Sequence, residues 1–372
     1  MSELSNGLNS CASPPHRAIT ALIAIAAGRS AGKALHRDLR LSTEKQLVQI
    51  AAAHQVHNVV ATGFARAPEY QRHIPRDLLI FFEEMQAANR RRNAEIKNRI
   101  ARIGAAFARD AITAVVVKGG AEILSPFYTE PGHRFLSDID LLVAEDRLQD
   151  AAKILSGFGG NLVTRQQEDS HHLTAVYIPG WPVPVELHWR ISRDKADALL
   201  PPAGLISRSL QSEFEGIRVP ANPDRLVHLI AHAQLHHRRF SRQELFLRDY
   251  LDYAVMQPQL TPGEFDLATR RLKDHQCHRE LQGFLALAGL LFADQPDRPA
   301  EATARRWARA SLRNMGKPGR RQFIDTAEFL ALYLGQFLTS PEKRKKYLAK
   351  LRDPVLRAQW LKFHRDRFRR TK

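Results

Sequence analysis

Asp138 and Asp140 stand two residues apart in the run Asp138-Ile-Asp-Leu-Leu-Val143. The apolar residues after the first aspartate predict a strand. Side chains alternate across a strand, so the two carboxylates share a face while Ile139 and Leu141 point into the core. Carboxylates so placed can share divalent cations. Mg2+ favours hard oxygen ligands of this kind and completes its shell with water and phosphate oxygens. Taken alone, the pair reads as the exposed end of a strand. A third acid comes from Val183-Pro-Val-Glu186-Leu-His188-Trp-Arg190. There Glu186, His188 and Arg190 share one face of a predicted strand, and Val185, Leu187 and Trp189 take the other. On an isolated hairpin that polar face would be solvated.

A glycine pair is the third feature. Ile112-Thr-Ala-Val-Val-Val117 predicts a buried strand, which Lys118-Gly119-Gly120 ends before a short helix from Ala121. Glycine lets backbone approach a ligand closely, and N–H groups at a helix start suit phosphate. The plain alternative is a strand-to-helix turn. One shared site accounts for all three features with a single assumption.

The surrounding elements must position these strands. Residues 1–17 form a polar leader. Helical periodicity fills 18–110, with one helix opening at Pro75 and a long polar-faced one from Glu83 to Ala108. An amphipathic helix is predicted over 145–157 and closed by Gly159-Gly160. Further strands are predicted at 161–165, 172–178 and 183–191, the last two joined by Pro179-Gly-Trp-Pro182. Helices return from Pro223, and Ala293–Pro299 marks a break before a basic tail.

The arrangement resembles the nucleotidyltransferase fold related to DNA polymerase beta. More narrowly, it resembles an uncharacterised bacterial nucleotidyltransferase family. The residues that carry the resemblance are Lys118-Gly119-Gly120, then Arg134-Phe-Leu-Ser137-Asp138-Ile-Asp140-Leu-Leu-Val, then Val-Glu186-Leu-His188-Trp. Asn93 in an Arg-Arg-Asn helix, the histidines 228, 232 and 236, and Leu247-Arg-Asp249-Tyr-Leu-Asp252 extend it over roughly 40–260. One departure from the broader fold is the spacing: 17 residues separate Gly120 from Asp138, so Ser125–His133 reads as an inserted loop overhanging the site.

The resemblance implies an α+β fold. A small mixed-sheet core at 111–192 would be flanked by helices at 18–110 and completed by a helical domain at 193–292, with a basic helical tail at 293–372. It implies that Asp138, Asp140 and Glu186 hold Mg2+ or Mn2+ against a nucleoside triphosphate, with ATP expected. Lys118, Gly119, Gly120, Arg134 and Ser137 would bind the nucleotide. NMP would pass to a hydroxyl acceptor and pyrophosphate would leave. His188, Arg190, His232 and His236 are candidates for lining the acceptor pocket. A nucleotide-binding module with weak turnover, and an RNA-directed transferase, are the alternatives.

Three histidines at a spacing of four share a helical face, but the Glu of a His-Glu-x-x-His zinc helix is absent. They read as pocket lining or as packed histidines. The chain carries a net charge of +17, of which +10 lies in residues 341–372 (thirteen Lys and Arg against three acids). That tail reads first as a solvated helix, with a polyanion or membrane-surface contact as the sharper alternative. Two distant cysteines, Cys11 and Cys277, exclude a disulfide framework and suit a reducing cytoplasm. The apolar run 18–27 is too short to span a bilayer, which takes about 20 residues.

Overall fold

The computed structural model describes residues 12–30, 34–161, 171–192, 195–292 and 301–317, with scattered positions between 320 and 358. Residues Met1–Met315 form one compact unit and Gly316–Lys372 a second. In the second unit Arg344, Lys345 and Arg352 are exposed, and most of the basic tail lies outside the described residues. The break expected at 293–299 and the strand expected at 161–165 also fall outside them, apart from Asn161.

Among the described residues, five short strands form one mixed sheet: β1 (Ala114–Val116), β2 (Ile139–Leu142), β3 (Val185–His188), β4 (Leu210–Gln211) and β5 (Ile217–Val219). Their order is β3-β2-β1-β5-β4. β1 runs antiparallel to β2 and parallel to β5, and β2 runs parallel to β3. Helices precede and follow the sheet, so the chain adopts the expected α+β class.

Strand alternation divides the sheet's two faces between two cores. Ala114, Val116, Ile139, Leu141, Val185 and Leu187 pack in one core with Ile96, Ile100, Ile103 and Phe107 of the long helix. Each such side chain contributes about 1.5–3 kcal/mol when fully buried. Val115, Val117 and Leu142 belong to the other core, shared with the N- and C-terminal helices. Asp140, Glu186 and His188 alternate with the first set and so stand on this second face.

Several elements differ from expectation for physical reasons. The helices predicted from Pro75 and over 83–108 are one helix, Arg76–Arg109. No proline or glycine interrupts it before Gly104, so nothing breaks it. The first helix, Pro14–Ala26, opens inside the stretch read as leader, because Pro14 and Pro15 occupy first-turn positions where a missing N–H is harmless. Residues 172–178 form no continuous strand. They touch β3 through two antiparallel bridges, His172 to His188 and Val176 to Val185. The strand predicted over 183–191 is regular only over 185–188, after Pro182 and Pro184, which have no N–H to give a ladder.

Beyond residue 193 the sequence predicts helices alone, yet β4 and β5 lie there and β5 pairs directly with β1. Gly216, at φ +71°, makes this possible: a Cβ there would stand 2.5 Å from the Gly104 carbonyl oxygen of the long helix. Among the described residues no helix is long and apolar enough to cross a membrane.

Candidate active site

The parallel register of β2 and β3 pairs Asp140 with Glu186 and Leu142 with His188. The carboxylates of neighbouring strands therefore stand side by side. Lys118 enters from the end of β1, where the chain turns sharply into the Gly119–Leu124 helix. Its φ of +52° is uncommon for a residue with a Cβ, and such strain concentrates at functional sites. The turn aims Lys118 Nζ at Asp140 Oδ1, 2.6 Å away. His188 Nε2 lies 2.7 Å from the same oxygen and 3.5 Å from Glu186 Oε2.

These contacts split the acids electrostatically. Burial pushes the Asp140 carboxyl upward, but the Lys118 charge and the His188 hydrogen bond outweigh it and hold the group well below the usual carboxylate range. The His188 hydrogen bond, more than any other influence, lowers Glu186. Asp138 lies just before β2, half-buried, and Ser137 hydrogen-bonds its carboxylate. Burial and then the Asp140 charge raise it to about 6. Asp140, Glu186 and His188 offer ligand atoms within 4.8 Å of one another. Crowded acids, one of them pushed toward neutrality by burial and by its neighbour Asp140, suit a divalent cation, which would relieve that repulsion.

Above the acids lies a cavity of about 400 Å3. Lys118, Gly119, Arg134, Ser137, Asp138 and Glu186 reach it from the sheet side. His228, His232, His236 and His237 reach it from the opposite wall. The helix Asn222–Ala231 widens there into a π-turn over His232–His236, closed by the His237 N–H on the His232 carbonyl. The wider turn stacks the His232 and His236 rings at 5.2 Å and brings His237 to 4.3 Å from His232. π-turns often mark functional sites. Burial lowers His228 and His237 to about 3 and His232 well below its ordinary value, so these three rings are neutral and polar. The His228 Nε2 atom is buried with no hydrogen-bond partner.

Asn89 and Asn93, one turn apart on the long helix, strap the segment that carries Arg134. The Asn89 amide donates to the carbonyls of Gly132 and Arg134 at 2.8 and 3.0 Å. The Asn93 amide donates to those of Pro131 and Arg134 at 2.7 and 2.8 Å. Arg134 Nε then lies 3.1 Å from Asp252 Oδ1, the oxygen that also accepts from the Tyr128 hydroxyl at 2.5 Å.

The structure brings most of the sequence-selected residues together, though not all in the expected places. Asp138, Glu186, Lys118, Gly119, Arg134, Ser137, His232 and His236 line the cavity. Asp140 and His188 are buried behind the lining, so His188 meets the acids and not the acceptor space. The tightest potential ligand group thus holds His188 where the sequence suggests Asp138. Gly120 does not reach the cavity. A Cβ on it would stand 2.4 Å from Val116 Cγ1, so the position needs glycine for close helix-to-strand packing. Arg190 lies past the end of β3, exposed, with Asp197 3.9 Å away.

Sequence reasoning missed Asn89, His171 and Arg239, and took Arg248 only as a candidate partner of Asp249 and Asp252. Asn89 had a signal: two asparagines four apart on one helix face need buried partners. His171 precedes a predicted strand and carried none.

The sequence profile of the uncharacterised nucleotidyltransferase family matches residues 42–293. No curated protein matches the chain. The matched span holds the whole sheet, the turn at Lys118, the three acids and the histidine wall. With more than half its length matched, the chain belongs to the uncharacterised nucleotidyltransferase family.

Proposed function

We propose that this chain transfers NMP from a nucleoside triphosphate, ATP being the expected one, to a hydroxyl of an acceptor and releases pyrophosphate. The observation that carries the reading is the convergence of Asp138, Asp140, Glu186 and Lys118 at one end of the sheet under a cavity of about 400 Å3.

Asp138, Asp140 and Glu186 would hold a divalent cation, Mg2+ or Mn2+, which supplies Lewis-acid neutralisation of phosphoryl oxygens when bound. The remaining work falls to the chain. Gly119 lets backbone come close to a phosphate, and Arg134, fixed by Asp252 and the two asparagines, points a guanidinium into the cavity. Glu186 is kept ionised by His188, which suits it to accept the acceptor's hydroxyl proton. The oxygen so freed attacks the α-phosphorus, and the bond to the bridging oxygen of pyrophosphate breaks. His188, buried against both carboxylates, orients them. The neutral rings of His228, His232 and His237 offer hydrogen bonds to an uncharged part of the acceptor.

One observation favours a second reading, a nucleotide-binding module without turnover: Lys118 Nζ places a protein cation 2.6 Å from a ligand oxygen of Asp140. Incubation with each α-labelled nucleoside triphosphate, Mg2+ and cell extract separates the two. Transfer predicts label on one acceptor, lost in Asp138→Asn. The module reading predicts nucleotide binding with no label moved.

A further inference from the structure

Away from Asp138 and Glu186, the same cavity is lined by Arg134, Arg225, Arg239 and Arg248 and by three carboxylates, Glu122, Asp249 and Asp252, of which Glu122 pairs with Arg225. Asp252 pairs with Arg134, and Asp249 pairs with Arg239. Four guanidinium groups against three carboxylates leave one charge uncompensated, and the pairings identify it as Arg248. Among the described residues no ion pair holds Arg248. Its Nη1 donates to the Gln55 side-chain carbonyl, its guanidinium packs on the Phe246 ring at 5.0 Å, and its Nε is buried without an acceptor. Burial, and then the charge of Arg134, lower it to about 10.

We propose that this end of the cavity is an oxyanion site, in which Arg248 takes a phosphate or carboxylate group of a bound substrate. A guanidinium removed from water without a counter-ion is costly, and a fold retains one where something else completes it. The planar fork presents two parallel N–H donors, which match the oxygens of a phosphate or carboxylate. The setting is rigid. Phe246 holds Arg239 at 4.8 Å as well as Arg248, and the Leu247 N–H is anchored on His54 Nδ1. The charges that act on Arg248 are those of Arg134, Asp249, Asp252 and Arg239, whereas Lys118, at the acids, is engaged by Asp140.

The proposal deepens the transferase reading and rests on it only for which substrate brings the anion. Two can: the nucleotide, through its terminal phosphate, or the acceptor, through an acid group of its own. In the second case the acceptor is a small hydroxyl compound bearing a phosphate or carboxylate.

The test is thermal unfolding of the full chain in inorganic phosphate against chloride at equal ionic strength. A ligand that binds only the folded chain raises Tm with concentration. Wild type is expected to rise with phosphate, and Arg248→Met to need roughly tenfold more phosphate for the same rise. Arg248→Lys keeps the charge without the fork and is expected between the two. Without phosphate, Arg248→Met should melt no lower than wild type, since it removes an unpaired charge. A wild type indifferent to phosphate, or an Arg248→Met chain that responds equally, overturns the proposal. A second arm repeats the titration with a saturating non-hydrolysable ATP analogue. A phosphate response that persists assigns the site to the acceptor, and one that disappears assigns it to the nucleotide. Either supports the site. None of these readouts needs turnover, so failure of the transferase reading would be seen separately.

Discussion

Lys118 Nζ and Asp140 Oδ1 lie 2.6 Å apart, and His188 Nε2 meets the same oxygen at 2.7 Å. A single carboxylate oxygen thus ties the turn after β1 to both β2 and β3. Asp140 is 1% exposed, so its two partners are its solvent. Asp140→Asn leaves Lys118 without its ion pair and is expected to destabilise the fold by about 3–5 kcal/mol. Urea denaturation checks this, and a loss under about 1 kcal/mol would contradict it.

Asp138 should behave in the opposite way. Its folded carboxyl titrates near 6 against an ordinary 3.8, raised by burial and by Asp140. A raised acid contributes most below 3.8 and loses that contribution as pH rises through 6. Asp138→Asn is therefore expected to melt as high as wild type, or higher, at pH 8. The advantage should shrink toward pH 4. Melting temperatures of the pair across that range decide it, and a variant markedly less stable at pH 8 would count against the picture.

Buried histidines should make the fold acid-sensitive. Burial lowers His133 to about 4 and His228 to about 3, against an ordinary 6.5. Their depressed values mean that the unfolded chain takes up protons first. Stability is therefore full above 6.5 and falls as pH drops through that value toward 4. His133 also sits 2.7 Å from Thr62 Oγ1. His133→Gln should flatten the fall in Tm between pH 6.5 and 4 relative to wild type. An unchanged slope would show that this side chain does not carry the effect.

The glycine pair separates packing from phosphate contact. Gly120→Ala puts a methyl against Val116 and is expected to cost about 1–3 kcal/mol, with Val116→Ala as the compensating partner. Nucleotide affinity in the double variant should match wild type. Gly119→Ala should instead weaken nucleotide binding, because Gly119 faces the cavity. Calorimetric titration with an ATP analogue distinguishes the two positions.

Asn93→Ala removes both amide contacts to the Pro131 and Arg134 carbonyls, a loss of about 1–3 kcal/mol. Because it also frees the backbone of Arg134, turnover should fall more than stability alone explains. Transfer rates at a temperature where the variant remains folded test this.

The site was legible where chemistry and strand phase agree. Asp138, Asp140 and Glu186 are selected by strand phase together with their order after the Lys118-Gly119-Gly120 turn and the family resemblance, and the parallel register sets Asp140 and Glu186 side by side. Gly120 shows how glycine serves two needs: its missing Cβ makes room for Val116, a packing demand the sequence alone does not separate from ligand approach. β5 was invisible: three residues, Ile217–Val219, give no periodicity, and their partner β1 lies about a hundred residues away. The π-turn was hidden because a spacing of four predicts an α-helical stripe, whereas the extra residue per turn is settled by packing. The uncompensated charge at Arg248 is a count of neighbours, and neighbours come only from the fold.

Nucleotidyl transfer at Asp138, Asp140 and Glu186 can be followed with a pair of labels on the same nucleotide. The purified chain, Mg2+ and acceptor-containing extract are incubated with ATP labelled at the α- or the γ-phosphate. The account predicts α-label on the acceptor and γ-label in pyrophosphate, both lost in Asp138→Asn and Glu186→Gln chains that melt like wild type. Label from the γ-phosphate on the acceptor, or α-label transfer that survives in both variants, would contradict it.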